Sequence, residues 1–225
     1  MGKKKKRWST KKLRAFLYNL FHGCCGWTLQ LRGVLVAKGA FLKNVRFDVK
    51  GRNVRIEIGQ GTRVEDTTFY VRGNNCRIVI GGGHGQICSS EFWAEDDNSR
   101  IFIGNDTWIK YSQVASTEGE LIEMGDDVMF INAEFRNGDS HAIVQQGTNV
   151  RINWPKSVHI GNHCWFGAHS RVLKGTILAD NCVVATGSIC CGRLDKPNCI
   201  YGGNPAKLLK EGIDWDRSRY GFARQ

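Results

Sequence analysis

A short pattern, apolar–any–apolar–Gly, recurs five times along this 225-residue chain and restricts the folds it can adopt. The copies are residues 56–59, 78–81, 101–104, 122–125 and 158–161. Their glycines are 22, 23, 21 and 36 residues apart, and the first three copies each follow an Asn and an Arg. Short alternating segments at such intervals are typical of stacked β-coils, and the absence of alternating helices argues against a βαβ sheet. The repeat therefore predicts an all-β solenoid.

From Ile160 onward the pattern tightens to a period of six residues. The first position of each hexad is bulky and apolar, in Ile160, Phe166, Val172, Leu178 and Val184. The fifth position is small, in Cys164, Ser170, Thr176, Cys182 and Ser188. This alternation suits a triangular coil of three hexads, in which residues eighteen apart stack, so Cys164 and Cys182 are predicted to fill the core. The earlier coils have longer periods, so each is expected to carry a small loop or a distorted corner.

These hexads resemble those of the hexapeptide-repeat acyltransferases, whose fold is a left-handed parallel β-helix. Residues 160–189 are similar to the terminal coils of the maltose, galactoside and surface-polysaccharide O-acetyltransferases. Asp-Ser-His at 139–141 resembles their catalytic loop, and Gly-Asn-Pro-Ala-Lys at 203–207 resembles their closing motif. The resemblance is strong over residues 120–215 and extends over 50–120 as a degenerate repeat. It implies the handedness, which the periodicity does not supply.

The N-terminal segment is strongly basic. Residues 1–47 hold twelve of the 32 Lys and Arg residues and no acid, which leaves 20 basic and 21 acidic residues in the rest of the chain. A near-neutral body argues against an enzyme acting on nucleic acid. Apolar residues at helical spacing follow the basic run, at Leu13, Phe16, Leu17, Leu20 and Phe21. They predict an amphipathic helix that either contacts an anionic membrane through residues 1–22 or covers the open end of the solenoid.

The chain is predicted to have three parts. These are a basic amphipathic segment (1–33), a β-helix catalytic domain (34–192) and a C-terminal loop and helix (193–225). Nine cysteines, an odd number that includes two adjacent pairs, together with no recognisable export signal favour a reducing, cytoplasmic location. The basic segment 1–22 adds the alternative of peripheral contact at the cytoplasmic membrane face. The sequence contains no CxxC pair, so a cysteine zinc site is not indicated. No apolar run reaches the roughly 18 residues that a membrane-spanning helix needs.

His141 is the predicted general base. Transfer of an acetyl group from a thioester to a hydroxyl needs a group that takes the hydroxyl proton, and histidine as a residue type suits that role near neutral pH. His141 lies in a polar stretch, 136–153, that interrupts the repeat, and the resemblance points to the same residue. Asp139 or Glu134 is expected to orient its ring. Glu134 stands where a small residue is expected after Phe130, so either that coil bulges or this carboxylate reaches the site.

The resemblance implies acetyl-CoA as the acyl donor, bound in a groove between the neighbouring β-helices of a homotrimer. By motif position it assigns to that groove Ala168, Thr186, Cys191, Gly192, Lys207 and Lys210. The two lysines suit phosphate contacts, although they would also be ordinary solvated residues of a terminal helix. Trp165 is expected at the subunit boundary near the acceptor, or as interface filler. The expected acceptor walls are the loops after Gly83, around 112–118 and at 135–152.

Three alternatives to an O-acetyltransferase stay open. His141, His159 and His163 would imitate the zinc ligands of the gamma-class carbonic anhydrases, although the spacing fits poorly, and no metal is predicted. N-acetylation of an amino sugar nucleotide is a second alternative, and a catalytically silent assembly module is the third. In the hexad frame His159, His163 and His169 occupy outward or turn positions, which favours a surface role.

Overall fold

The computed structural model describes residues 33–37, 39–218 and 220–221, and the predicted N-terminal helix lies outside them. These residues form short strands in three sheets, A, B and C. Sheet A contains β1 (Val34–Val36), β4 (Arg55–Ile58), β7 (Arg77–Ile80), β10 (Arg100–Ile103), β13 (Leu121–Met124), β16 (Val158–Ile160), β19 (Ile177–Leu178) and β22 (Arg193–Leu194). Sheet B contains β2 (Phe41–Lys43), β5 (Arg63–Glu65), β8 (Gln86–Cys88), β11 (Trp108–Lys110), β14 (Met129–Ile131), β17 (Trp165–Phe166), β20 (Val183–Val184), β23 (Cys199–Gly203) and β24 (Ala206–Glu211). Sheet C contains β3 (Arg46–Val49), β6 (Thr68–Val71), β9 (Glu91–Ala94), β12 (Gln113–Ser116), β15 (Glu134–Arg136), β18 (Arg171–Val172) and β21 (Ile189–Cys190).

The strand order confirms a parallel β-solenoid. From β1 to β23, each strand pairs in parallel with the strand three places along the chain, so one coil adds one strand to each sheet. Sheet C has seven strands, so the described chain forms seven three-sided coils and begins an eighth. The part of the chain that the structure describes contains no helix, and therefore no helix able to span a membrane.

The hexad positions line the core as predicted. All first-position and fifth-position side chains from Ile160 to Ser188 are buried, each with at most 4% of its surface exposed. Residues eighteen apart are in register, as Ile160 is with Leu178 and Phe166 with Val184. Burial raises the pKa of Cys164 to about 12 and also raises that of Cys182, so both thiols stay protonated at neutral pH. The prediction that these cysteines fill the core is confirmed.

The longer early coils turn at left-handed corners that asparagine occupies. Asn53, Asn75 and Asn98 precede three successive strands of sheet A and have φ values of 54°, 55° and 63°. Asparagine tolerates this region better than most residues, and Nδ2 of Asn53 donates to Oδ1 of Asn75 at 2.8 Å. A glycine follows each of these strands because the backbone of the next coil leaves no room for a Cβ. A Cβ on Gly59 would lie 2.5 Å from the carbonyl carbon of Gly81 in the next coil.

The prediction of a C-terminal helix is wrong. Residues 206–211 form β24, which runs antiparallel to β23, and the predicted closing motif supplies the turn between these strands. Without β24, the outer edge of β23 would leave a row of backbone N–H and C=O groups unpaired. The chain returns as a hairpin, and β24 supplies their hydrogen-bond partners. Because β22 and β23 extend sheets A and B, the solenoid continues beyond residue 192.

Candidate active site

One long loop interrupts the solenoid and carries His141. This insertion loop, residues 137–157, leaves sheet C after β15 and returns to sheet A at β16. Its length explains why the register joins Ile122 to Val158, a step of 36 residues. The loop folds back on itself, since Ile152 N donates to Ile143 O at 2.8 Å and Gln145 N donates to Val150 O at 2.9 Å. An interruption of the repeat therefore forms an ordered hairpin-like projection.

His141 is exposed on the insertion loop, as its predicted role requires. It borders a cavity of about 300 Å³, the His141 cavity, together with Glu95, Asp96, Thr117, Glu118, Asp139, Ser140, Ala142 and Arg151. Burial raises the pKa of the Glu95 carboxyl above its usual value, while the Asp139 carboxylate is stabilised by its hydrogen bonds. No sequence pattern indicates Glu95, which follows β9 in a coil distant along the chain. The cavity is polar and open, and suits a hydroxyl-rich acceptor.

Asp139 does not orient the His141 ring in this structure. Its carboxylate accepts hydrogen bonds from Nδ2 of Asn153 at 2.8 Å and from Nζ of Lys174. The bonds from Lys174 and Asn153 lower the pKa of Asp139 below its usual value. Asp139 therefore ties the insertion loop to the next coil, in which Lys174 follows β18. Neither Lys174 nor Asn153 is predicted from the sequence.

Glu134 neither produces a bulge nor contacts His141. Ala133 takes the buried small-residue position one residue earlier than the hexad frame predicts, because the corner between sheets B and C is one residue shorter in this coil. Glu134 consequently points outward from β15, where it pairs with Arg136 at 2.5 Å and with Arg171. It borders a second cavity, which Cys191 also lines, so its carboxylate contributes charge to that surface.

A second cavity adjoins the first and contains one of the predicted donor residues. This Cys191 cavity, of about 530 Å³, is bordered by Glu134, Arg136, Gly138, Asp139, Ser140, Leu173, Lys174 and Cys191. It shares Asp139 and Ser140 with the His141 cavity. Cys191 is exposed, whereas burial raises the pKa of its neighbour Cys190 to about 12. The structure thus brings Cys191, and Gly192 beside it, close to the insertion loop.

The other predicted residues lie away from the insertion loop within one chain. Ala168 and Thr186 occupy equivalent corners of successive coils between sheets B and C, and Gly187 N donates to Ala168 O at 2.9 Å. Lys207 and Lys210 are exposed on β24, and Trp165 is 40% exposed on sheet B. Within one chain, His141, Cys191 and Gly192 therefore form one group, and the remaining predicted residues lie elsewhere on the solenoid.

Two of the three histidines of the zinc alternative, His159 and His163, have separate carboxylate partners. His159 lies on β16 with Nδ1 3.3 Å from Oε2 of Glu123, and Nδ1 of His163 lies 2.6 Å from Oδ2 of Asp127. His163 and His169 take left-handed corner positions, with φ values of 51° and 62°, as the hexad frame indicated. Within the described ranges no three His, Cys, Asp or Glu side chains are grouped closely enough to hold a metal ion.

The C-terminal tail docks on the His163 corner. The Trp215 ring stacks on the imidazole with centroids 4.3 Å apart, and Trp215 Nε1 donates to His163 O at 2.8 Å. Both ring nitrogens of His163 have acceptors, Oδ2 of Asp127 at 2.6 Å and Trp215 O at 3.0 Å. Burial alone would lower the pKa of His163, but these two acceptors raise it above its usual value. The docked tail therefore binds the protonated His163 imidazole more strongly than the neutral one.

Tail docking should weaken as the pH rises. A raised folded-state pKa stabilises the protein below the unfolded value of about 6.5, and that stabilisation is lost as the pH passes the folded value. We expect the melting temperature to fall more between about pH 6 and about pH 9 in the wild type than in His163→Asn, a replacement that tolerates the left-handed corner. Scanning calorimetry of both proteins measures this difference, and parallel pH profiles would contradict the prediction.

No family model matches the chain. It is 31% identical over 161 residues to a polysialic acid O-acetyltransferase of Neisseria meningitidis, an alignment that spans 62% of this chain and 75% of that protein. A polysialic acid O-acetyltransferase of Escherichia coli O1:K1 is 30% identical over 53% of this chain and 39% of its own length. The solved polysialic acid O-acetyltransferase OatWY superimposes with a TM-score of 0.77 at 27% identity, covering 83% of this chain and 88% of that one.

Proposed function

The chain belongs to the hexapeptide-repeat acyltransferases, and we propose that it transfers an acetyl group from acetyl-CoA to a sugar hydroxyl of a surface or capsular polysaccharide. The observation that carries the proposal is the 31% identity to a polysialic acid O-acetyltransferase over 75% of its length. The exposed His141 on an ordered loop beside a polar cavity supports it. A sialic acid polymer is the acceptor that these relatives' names favour.

In the proposed reaction His141 is the general base. Its imidazole takes the proton of the acceptor hydroxyl while the hydroxyl oxygen attacks the acetyl carbonyl carbon. A new ester C–O bond forms, the thioester C–S bond breaks, and the proton passes from the imidazolium to the departing sulfur. The products are free CoA and the acetylated sugar. This chemistry uses the proton of the acceptor and needs no oxidant, reductant or metal.

The residues proposed for acetyl-CoA occupy two edges of the solenoid. Cys191 and Gly192 lie on the edge that adjoins the insertion loop, and the stacked corners at Ala168 and Thr186 offer backbone groups on another edge of the same coils. Lys207 and Lys210 suit phosphate groups. Because Ala168, Thr186 and the two lysines are separated from His141 within one chain, the proposal includes a homotrimer in which neighbouring chains complete each site, with Trp165 near the acceptor. It also includes the left-handed winding of the family.

The location stays a prediction. Residues 1–22, which would contact the anionic cytoplasmic membrane face, lie outside the described residues. The proposal places the enzyme in the cytoplasm, at that face, where glycan intermediates carried on lipid are accessible.

An acceptor screen tests the proposed function. Purified protein is incubated with acetyl-CoA and, separately, with a sialic acid polymer, monomeric sialic acid, a galactoside or an amino sugar nucleotide. We expect CoA release with the polymer above all, and a product whose acetyl group mild alkali removes, since esters are labile and amides are not. An alkali-stable product on the amino sugar nucleotide would favour N-acetylation. The absence of CoA release with every acceptor would favour an assembly module. Sedimentation equilibrium of the same sample should give the mass of a trimer.

A further inference from the structure

One nearly buried amide fixes the backbone around His141. Asn153, in the returning arm of the insertion loop, is only 8% exposed. Its Nδ2 donates to Oδ2 of Asp139 and to the carbonyl oxygen of His141, both at 2.8 Å. Its Oδ1 accepts from the backbone N–H of Ile143 at 2.7 Å and from Nε of Arg151 at 3.1 Å. The two donors and two acceptor sites of this side chain are therefore all used.

These bonds span the segment from two residues before His141 to two residues after it. The bond to His141 O fixes the peptide plane that follows its Cα, and the bond from Ile143 N fixes the chain beyond. The direction of a side chain follows from the backbone on either side of its Cα, since the remaining torsions are confined to staggered rotamers. Among the described residues no hydrogen bond reaches the His141 ring itself, so its direction rests on this backbone.

The amide is itself held from two coils. Asp139 pairs with Lys174, and Lys174 Nζ also donates to Asn153 O at 3.0 Å. Arg151 forms a two-pronged ion pair with Glu118 at 2.5 and 2.7 Å. Lys174 follows β18, and Glu118 lies between β12 and β13. The solenoid therefore supports Asn153 from both sides of the loop.

We infer that Asn153 is a positioning residue, whose amide holds the His141 backbone so that the imidazole faces the acceptor hydroxyl. The inference rests on the proposed function. Losing this alignment should affect the chemical step more than donor binding, because a displacement of about 1 Å at reacting groups costs about 10²-fold in rate. The side chain does not border the His141 cavity, so its effect acts through His141.

Asn153→Asp is the sharpest single test. The replacement keeps the shape and the acceptor for Ile143 N, but it removes the donor to His141 O and sets a carboxylate against Asp139. We expect kcat to fall by about 10²-fold, with the KM for acetyl-CoA changed by less than about twofold. Asn53→Asp is the matched control. It is the same replacement at a corner of an early coil, it removes the hydrogen bond that Nδ2 donates to Oδ1 of Asn75, and it should leave kcat unchanged.

A double exchange separates positioning from simple loop stability. In Asp139→Asn with Asn153→Asp, the amide and the carboxylate trade places, so their mutual hydrogen bond and the total charge return. We expect the melting temperature to recover while kcat stays low, because position 153 still lacks a donor for His141 O. Full recovery of kcat would overturn the inference, as would a near-wild-type kcat in Asn153→Asp alone.

A second measurement does not depend on activity. Hydrogen exchange should be faster over residues 139–143 in Asn153→Asp than in the wild type, since His141 O and Asp139 lose their donor. Unchanged exchange there would overturn the inference even if no acceptor supports turnover. If the wild type transfers no acetyl group while exchange accelerates as expected, the proposed function fails and the structural role of Asn153 stands.

Discussion

His141→Ala is expected to lower kcat by about 10³-fold while the protein stays folded, since a positioned general base contributes about 10²- to 10⁴-fold. The side chain is exposed and no hydrogen bond to its ring occurs among the described residues, so its removal leaves no buried partner without a bond. Stability should therefore be unchanged. CoA release with the best acceptor of the screen measures kcat, and a thermal melt measures the fold.

His159→Ala is the matched control for this result. His159 is also a surface histidine, it lies on β16 just after the insertion loop, and it faces Glu123. Its removal should leave kcat within about twofold of the wild type, because it borders neither the His141 cavity nor the Cys191 cavity. Turnover close to normal in His141→Ala would show that another group accepts the proton, and Glu95 would then be the carboxyl to replace.

The sequence predicted the solenoid well because its period is local and redundant. Each hexad repeats the same inward positions, so one irregular residue does not hide the pattern, and strands β16 to β21 follow it. Glu134 shows the limit. A corner shortened by one residue shifts the frame, and the sequence alone does not say which corner is shorter. The C-terminal hairpin was missed because pairing at the end of sheet B, rather than local preference, decides its structure.

The candidate site was predictable only in part. His141 stands out because it lies in a segment that interrupts the repeat. Asn153 and Lys174 contribute by contacting Asp139, from which they are 14 and 35 residues distant in the sequence. Such contacts depend on how the insertion loop folds back over the next coil, which no periodicity encodes. Asp139 lies in the predicted loop, but its carboxylate binds Asn153 and Lys174 and not the His141 ring.

The two residues of β17 point in opposite directions: Phe166 into the core and Trp165 away from it. Phe166 is fully buried, with its ring centroid 5.1 Å from that of Phe135 and 6.2 Å from that of Phe130. Phe166→Ala should lower the free energy of unfolding by about 3–5 kcal/mol, because the loss of burial adds to the cost of the cavity left between these rings. Urea titration at one fixed protein concentration measures the loss, since association contributes to the apparent stability of an oligomer.

Trp165→Ala is the matched control, because it removes an aromatic ring from the opposite face of the same strand. The Trp165 ring points away from the core, is 40% exposed and lies 6.1 Å from the Trp215 ring. Its removal should cost well under half of what Phe166→Ala costs, since the opposite face of the same strand keeps its packing. If Trp165 lies near the acceptor as proposed, its loss should instead lower acetyl transfer. Equal destabilisation by the two replacements would mean that this face of sheet B contributes to the stability of the assembled protein as much as the interior does.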